Sequence, residues 1–127
     1  MLNKIDTLDA PRAIGPYSQA VVANGFVFVS GQLPIDPSSG AIVDGDIGTM
    51  TLRVIENLEA ILKKAGATLD KVVSTQVFLK DLKGDFMPMN EVYLKKFKSP
   101  CPPARATVEV SELPLGARIE IACVAVI

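Results

Sequence analysis

The sequence predicts an α+β domain of order ββαβαββ, with two helices on one face of a mixed sheet. Three observations lead there: a hairpin signal at Asn24-Gly25, two apolar stripes at helical spacing in the middle of the chain, and two alternating segments at its end. With 127 residues, 49% of them hydrophobic, the chain makes one domain, 1–127, large enough to bury roughly two-thirds of its unfolded surface without a metal or disulfide. No internal repeat, linker or low-complexity tract divides it.

Ala10-Pro11 and Gly15-Pro16 push the backbone out of helical geometry, which puts Tyr17 at a loop-to-strand junction. Ser18 to Ala23 and Phe26 to Gln32 then flank Asn24-Gly25, a pair that tolerates positive φ at both positions and favours a type I′ hairpin. Pro34 to Gly40 is rich in turn formers and reads as a long loop. Asp46 caps a helix whose apolar face runs through Ile47, Thr51, Val54, Leu58, Ile61, Leu62 and Ala65, and Gly66 ends it. Glu59 and Lys63 form an i,i+4 pair on the outer side, and Lys63 and Lys64 suit the negative end of the helix dipole. Val72 to Leu79, rich in β-branched residues, is a strand. A second helix takes Asp85 as its cap and Phe86, Met89, Tyr93 and Phe97 as its buried stripe, with Pro88 in the first turn, where no donor is lost. Pro100, Pro102 and Pro103 end that helix. Arg105 to Ser111 and Ala117 to Val126 alternate as strands, joined through Leu113-Pro114-Leu115-Gly116.

Composition removes several function classes. Thirteen Lys+Arg against 14 Asp+Glu leave a net charge of −1, and Lys95, Lys96 and Lys98 are the densest basic cluster, so no footprint for nucleic acid is visible. No apolar run approaches the ~20 residues of a membrane span, and the first nine residues lack a signal-peptide pattern, which places the protein in the cytoplasm. The chain has no histidine, which excludes Ser-His and Cys-His nucleophiles, histidine bases and the common metal sites. Cys101 and Cys123 match no metal or redox spacing and read as free thiols. The glycines form neither a phosphate loop nor a dinucleotide fingerprint.

Strand parity points to the residues left for chemistry. Arg105, Thr107, Glu109 and Ser111 share one face of their strand, and Ala106, Val108 and Val110 share the other. Glu120 stands between Ile119 and Ile121, so it is either a desolvated carboxyl suited to proton transfer or a glutamate on the wet face of the sheet. Arg105 offers a guanidinium fork for a carboxylate, or a salt bridge at the rim. Tyr17 is either a half-buried aromatic or a catalytic acid whose junction position aims its hydroxyl into a cleft, and Ser30-Gly31 lets backbone N–H groups approach a ligand. Register, and with it whether Arg105 and Glu120 meet within one chain or across subunits, stays open.

Five segments, in order and over nearly the whole chain, resemble the RidA (YjgF) reactive-intermediate deaminases: Ala13-Ile14-Gly15-Pro16-Tyr17-Ser18-Gln19-Ala20, Val29-Ser30-Gly31-Gln32-Leu33-Pro34, Asn90-Glu91-Val92-Tyr93, Pro103-Ala104-Arg105 and Ile119-Glu120-Ile121. The resemblance implies a chorismate-mutase-like subunit in a homotrimer with a central barrel and interfacial clefts. It also implies hydrolysis of enamines and imines, such as 2-aminoacrylate, to 2-keto acids and ammonia without a cofactor. By the same resemblance Arg105 binds the substrate carboxylate, Glu120 activates water and shuttles protons, and Tyr17, Ser30, Gly31, Phe86, Asn90 and Thr107 line the cleft. Two positions depart from the family's pattern: Thr107 stands where many members have cysteine, and Met50 where many have glutamine. A carboxylate-binding regulator without turnover is the rival reading, and a ribonuclease or translation inhibitor a more distant one.

Overall fold

The computed structural model describes residues 1–127 as a six-stranded mixed sheet with two helices packed on one face. The strands are β1 (Asn3–Ile5), β2 (Ala20–Ala23), β3 (Phe26–Gln32), β4 (Val72–Leu79), β5 (Ala104–Glu109) and β6 (Ile119–Val126), and the helices are α1 (Ile47–Ala65) and α2 (Leu82–Lys96). Their order across the sheet is β1-β2-β3-β6-β4-β5, antiparallel throughout except for the parallel pair β4–β5 that α2 connects. The expected class holds, with one strand added at the start: β1 pairs with β2 at the sheet edge, so the order is βββαβαββ.

Local chemistry sets the turn and the ends of α1. Asn24 and Gly25 take φ of 51° and 78°, the double positive φ of a type I′ turn. The Asp46 carboxylate accepts from the Thr49 N–H at 2.9 Å, a cap worth about 1 kcal/mol, and Gly66 closes α1 in the left-handed conformation. Side chains from α1 (Val54, Leu58, Ile61), α2 (Met89, Tyr93) and the helix-facing side of the sheet (Val27, Val77, Leu79, Ile119, Ile121) form one core. Burial of each large aliphatic there contributes about 1.5–3 kcal/mol. Burial also pushes the Cys123 thiol up to about 12, so it packs as a small apolar side chain, whereas Cys101 is exposed.

Three local expectations are corrected. Helix α2 begins at Leu82, capped by the Asp81 carboxylate accepting from the Gly84 N–H at 3.1 Å. Asp85, expected as the cap, is buried inside the helix and accepts from Arg118 Nη2 at 2.8 Å. Pro88 therefore lies in the helix interior and leaves the Gly84 carbonyl without its i+4 donor. Glu59 pairs with Lys96 of α2 at 2.8 Å in place of Lys63, tying the two helices together. No helix is long and apolar enough to cross a membrane.

The face of the sheet opposite the helices is left open. Phe26, Phe28, Val73 and Val108 lie on it, each between 39% and 49% exposed.

Candidate active site

Pairing register settles where Arg105 and Glu120 lie. Arg105 is opposite Thr75 of β4, which is 1% exposed beneath the helices, so the arginine rises on the helix-covered face. Glu120 is opposite Phe78 and alternates with the buried Ile119 and Ile121, so it rises on the open face. Within one chain the two do not meet. The structure instead shows two clusters, each holding part of the expected residue set.

The first cluster is a cavity of about 520 Å³ where β3 ends and β6 begins, containing Tyr17, Ser30, Gly31 and Glu120. A one-residue bulge builds it: Val29 pairs with Cys123 but Gln32 with Ile121, so β3 carries three steps where β6 carries two. The extra length falls at Ser30-Gly31, directly against the glutamate. A Cβ on Gly31 would stand 2.5 Å from Glu120 Oε2 and 2.7 Å from Cδ, so only glycine leaves the carboxylate this room. Burial alone raises the Glu120 carboxyl above the ordinary glutamate value of 4.5.

Two buried amides, neither of which the sequence marked as part of the site, hold the walls of this cavity. Gln19 accepts from the Thr7 N–H at 2.8 Å and donates to the carbonyls of Thr7 at 3.0 Å and Pro11 at 2.8 Å, fixing the N-terminal loop that carries Arg12, Ile14 and Tyr17. Asn57 of α1 donates to the carbonyls of Leu33 at 3.2 Å and Ile35 at 2.9 Å, fixing the wall beyond Gly31. Ser30 donates to the Ser18 carbonyl at 2.6 Å, so its hydroxyl ties β3 to the loop that leads into β2 beside the cavity. Leu115 also lines the cavity, with φ of 58°, a left-handed conformation uncommon for leucine and of the kind found where function constrains the backbone.

The second cluster surrounds Arg105. Its Nη1 donates to Asn90 Oδ1 at 2.8 Å, and its guanidinium carbon lies 4.7 Å from the Tyr93 ring centroid and 5.8 Å from that of Phe86. No carboxylate of the chain pairs with it. Phe86 and Asn90 thus stand at the arginine. Thr107, two residues along β5, keeps its hydroxyl buried and without a hydrogen-bond partner. No group of three His, Cys, Asp or Glu side chains converges anywhere in the chain to hold a metal ion.

Known proteins share this arrangement of chain. A sequence model of the family described as Endoribonuclease L-PSP matches residues 7–127. A RutC family protein of Pyrococcus abyssi is 54% identical over 121 residues, 95% of this chain and 94% of that protein. The chloroplastic Reactive Intermediate Deaminase A of Arabidopsis thaliana is 46% identical over 121 residues, 95% of this chain and 64% of that protein. The chain belongs to the RidA (YjgF) family. The crystal structure of E. coli TdcF, solved with bound serine, superposes on this RidA-family chain with a TM-score of 0.91 at 37% identity, covering 98% of each. The resemblance seen in the five segments is therefore a family relation, and the reactive-intermediate deaminases lie within that family.

Proposed function

We propose that the chain hydrolyses small enamines and imines bearing a carboxylate, such as 2-aminoacrylate, to 2-keto acids and ammonia. The carrying observation is the separation of charges. An arginine without an acidic partner and a desolvated glutamate lie on opposite faces of one sheet, so a site using both is completed between subunits. A homotrimer supplies that arrangement, its open sheet faces packed into a central barrel that covers Phe26, Phe28, Val73 and Val108. The serine bound to E. coli TdcF, an amino acid with one carboxylate, supports the ligand class.

The chemistry needs little from the protein because an imine is already electrophilic. 2-Aminoacrylate takes a proton at its methylene carbon to become the imine, water adds to the imine carbon, and the resulting carbinolamine expels ammonia to leave the ketone. Arg105 holds the carboxylate with the guanidinium N–H groups that Asn90 does not use. Glu120 takes the proton of the attacking water and returns it to the departing nitrogen. Tyr17, Ser30 and Gly31 wall the cavity around the reacting carbon, and no cofactor takes part. A regulator that only sensed keto acids would gain nothing from a second negative group beside its ligand. RNA cleavage finds less support still, because Lys96, central to the densest basic cluster, is paired with Glu59.

The test generates 2-aminoacrylate from serine with a dehydratase and follows keto-acid release with and without the protein. Acceleration is expected, together with a sedimenting species of three times the 13.5 kDa chain mass. A monomer at micromolar concentration overturns the interfacial site, and a folded trimer that binds pyruvate without accelerating release supports the sensor instead. Gly31→Ala gives a sharper check of the cavity. The added methyl displaces the Glu120 carboxylate, and turnover is expected to fall about tenfold to a hundredfold, with little change in melting temperature. Unchanged turnover in that variant separates Glu120 from the reaction.

A further inference from the structure

Arg105 projects from an exposed edge strand, where a side chain with four rotatable bonds ordinarily samples many positions and must be ordered whenever a ligand binds. Here its conformation is already narrowed. The guanidinium carbon stands 4.7 Å from the Tyr93 ring centroid, and Asn90 accepts from one edge of the fork. Tyr93 is itself held from two sides. Its ring packs on Phe97 with centroids 4.5 Å apart, and its hydroxyl lies 2.7 Å from the Thr75 hydroxyl. Thr75 is also the residue paired with Arg105 across β4 and β5, so one buried hydroxyl lies under the root of the arginine and fixes the ring under its tip.

We infer that Tyr93 is a positioning residue for Arg105: its ring is a shelf that holds the guanidinium ready for a carboxylate, and the Thr75 hydroxyl fixes that shelf. The inference rests on the reading of Arg105 as the carboxylate anchor. In the sequence Tyr93 belongs to the apolar stripe of a helix, and filling the core would account for its 8% exposure. It would not account for a hydroxyl bonded to a buried threonine beneath an arginine that lacks an acid. Burial pushes the Tyr93 phenol up, so the ring stays neutral and offers the guanidinium a π face without forming a competing ion pair. The remaining N–H groups of the fork are then left free for the ligand.

The experiment compares Tyr93→Leu, Tyr93→Phe and Thr75→Val with the wild-type protein by three readouts: the NMR signal of the Arg105 Nε–H group, pyruvate titration, and kcat and KM in the dehydratase-coupled assay. In Tyr93→Leu the Arg105 signal should lose its ring-current displacement and move toward that of free arginine. KM and the pyruvate Kd should rise about tenfold with kcat within about twofold, because the loss is of binding geometry. Tyr93→Phe keeps the shelf but frees it, and with Thr75→Val it should show a smaller, roughly two- to threefold rise in both constants. A folded Tyr93→Leu with unchanged Arg105 signal, KM and Kd overturns the inference, as does a fall in kcat alone. Should Tyr93→Leu fail to fold, the same readouts on the other two variants decide, and an Arg105 signal and constants unchanged in both overturn it. Wild-type protein that binds pyruvate without hydrolysing imines defeats only the hydrolase reading. Wild-type protein that binds no pyruvate defeats the anchor and this inference together.

Discussion

Arg105→Ala is expected to bring imine hydrolysis down to the rate of the free reaction, a loss of about 10²- to 10³-fold in kcat/KM. The substrate has a single permanent charge, its carboxylate, and Arg105 offers it a fork with no acid within the chain to compete for it. A guanidinium binds a carboxylate through two parallel hydrogen bonds, which fixes orientation as well as affinity. Without it the reacting carbon is not presented to water, and the positional advantage of the site is lost along with binding. The fold should be unaffected, since the side chain is exposed on edge strand β5 and its one hydrogen bond is to Asn90. Arg105→Lys keeps the charge but loses the fork and the guanidinium placed over the Tyr93 ring, so it should fall between alanine and wild type. The dehydratase-coupled assay with pyruvate titration measures both variants. A folded Arg105→Ala trimer within tenfold of wild-type turnover would remove the arginine from the mechanism.

The parts of this molecule that could be read from sequence are those fixed by near neighbours. The Asn24-Gly25 turn, the Asp46 cap and the Gly66 stop each depend on a few consecutive residues, and all three stand where the sequence puts them. The start of α2 does not follow this pattern, because Asp81 and Asp85 both have the chemistry of a cap. What separates them is Arg118, 33 residues from Asp85, which draws the second aspartate into a part-buried ion pair and leaves the cap to the first. Strand β1 is three residues long with no alternating pattern, and it adjoins the N-terminal loop that Gln19 holds through contacts 8 to 12 residues away. In the site, parity showed which residues share a face of each strand, but parity alone cannot orient one strand against another. That requires the pairings Thr75 with Arg105 and Phe78 with Glu120, which exist only in the folded sheet. Asn57 and Tyr93 were hidden for a related reason. Each sits on a helix among apolar neighbours, and its role appears only in a hydrogen bond to a distant segment.

Glu120→Gln separates chemistry from binding. If the carboxylate takes a proton from water, the amide cannot, and kcat should fall by about 10²- to 10⁴-fold. Pyruvate affinity should stay within about twofold or improve slightly, since a negative charge near an anionic ligand has been removed. Equal losses of binding and turnover would show that the residue holds substrate and does not move protons. The pH dependence gives an independent check on the same group. Burial raises the Glu120 carboxyl above 4.5, so the basic form appears at a higher pH than for an exposed glutamate, and wild-type turnover should decline as the pH falls through that raised value. Stability should respond in the opposite sense. Between 4.5 and the raised value the folded chain binds more protons at this site than the unfolded chain, so stability is fully present below 4.5 and is lost as the pH rises through the window. Glutamine carries no such penalty, and the variant should melt above wild type at pH 7, with the difference shrinking toward pH 4. A residue that costs the fold stability at neutral pH while supplying most of the rate is what a half-buried catalytic base requires, and a Glu120→Gln protein less stable than wild type at pH 7 would contradict the desolvation on which that role depends.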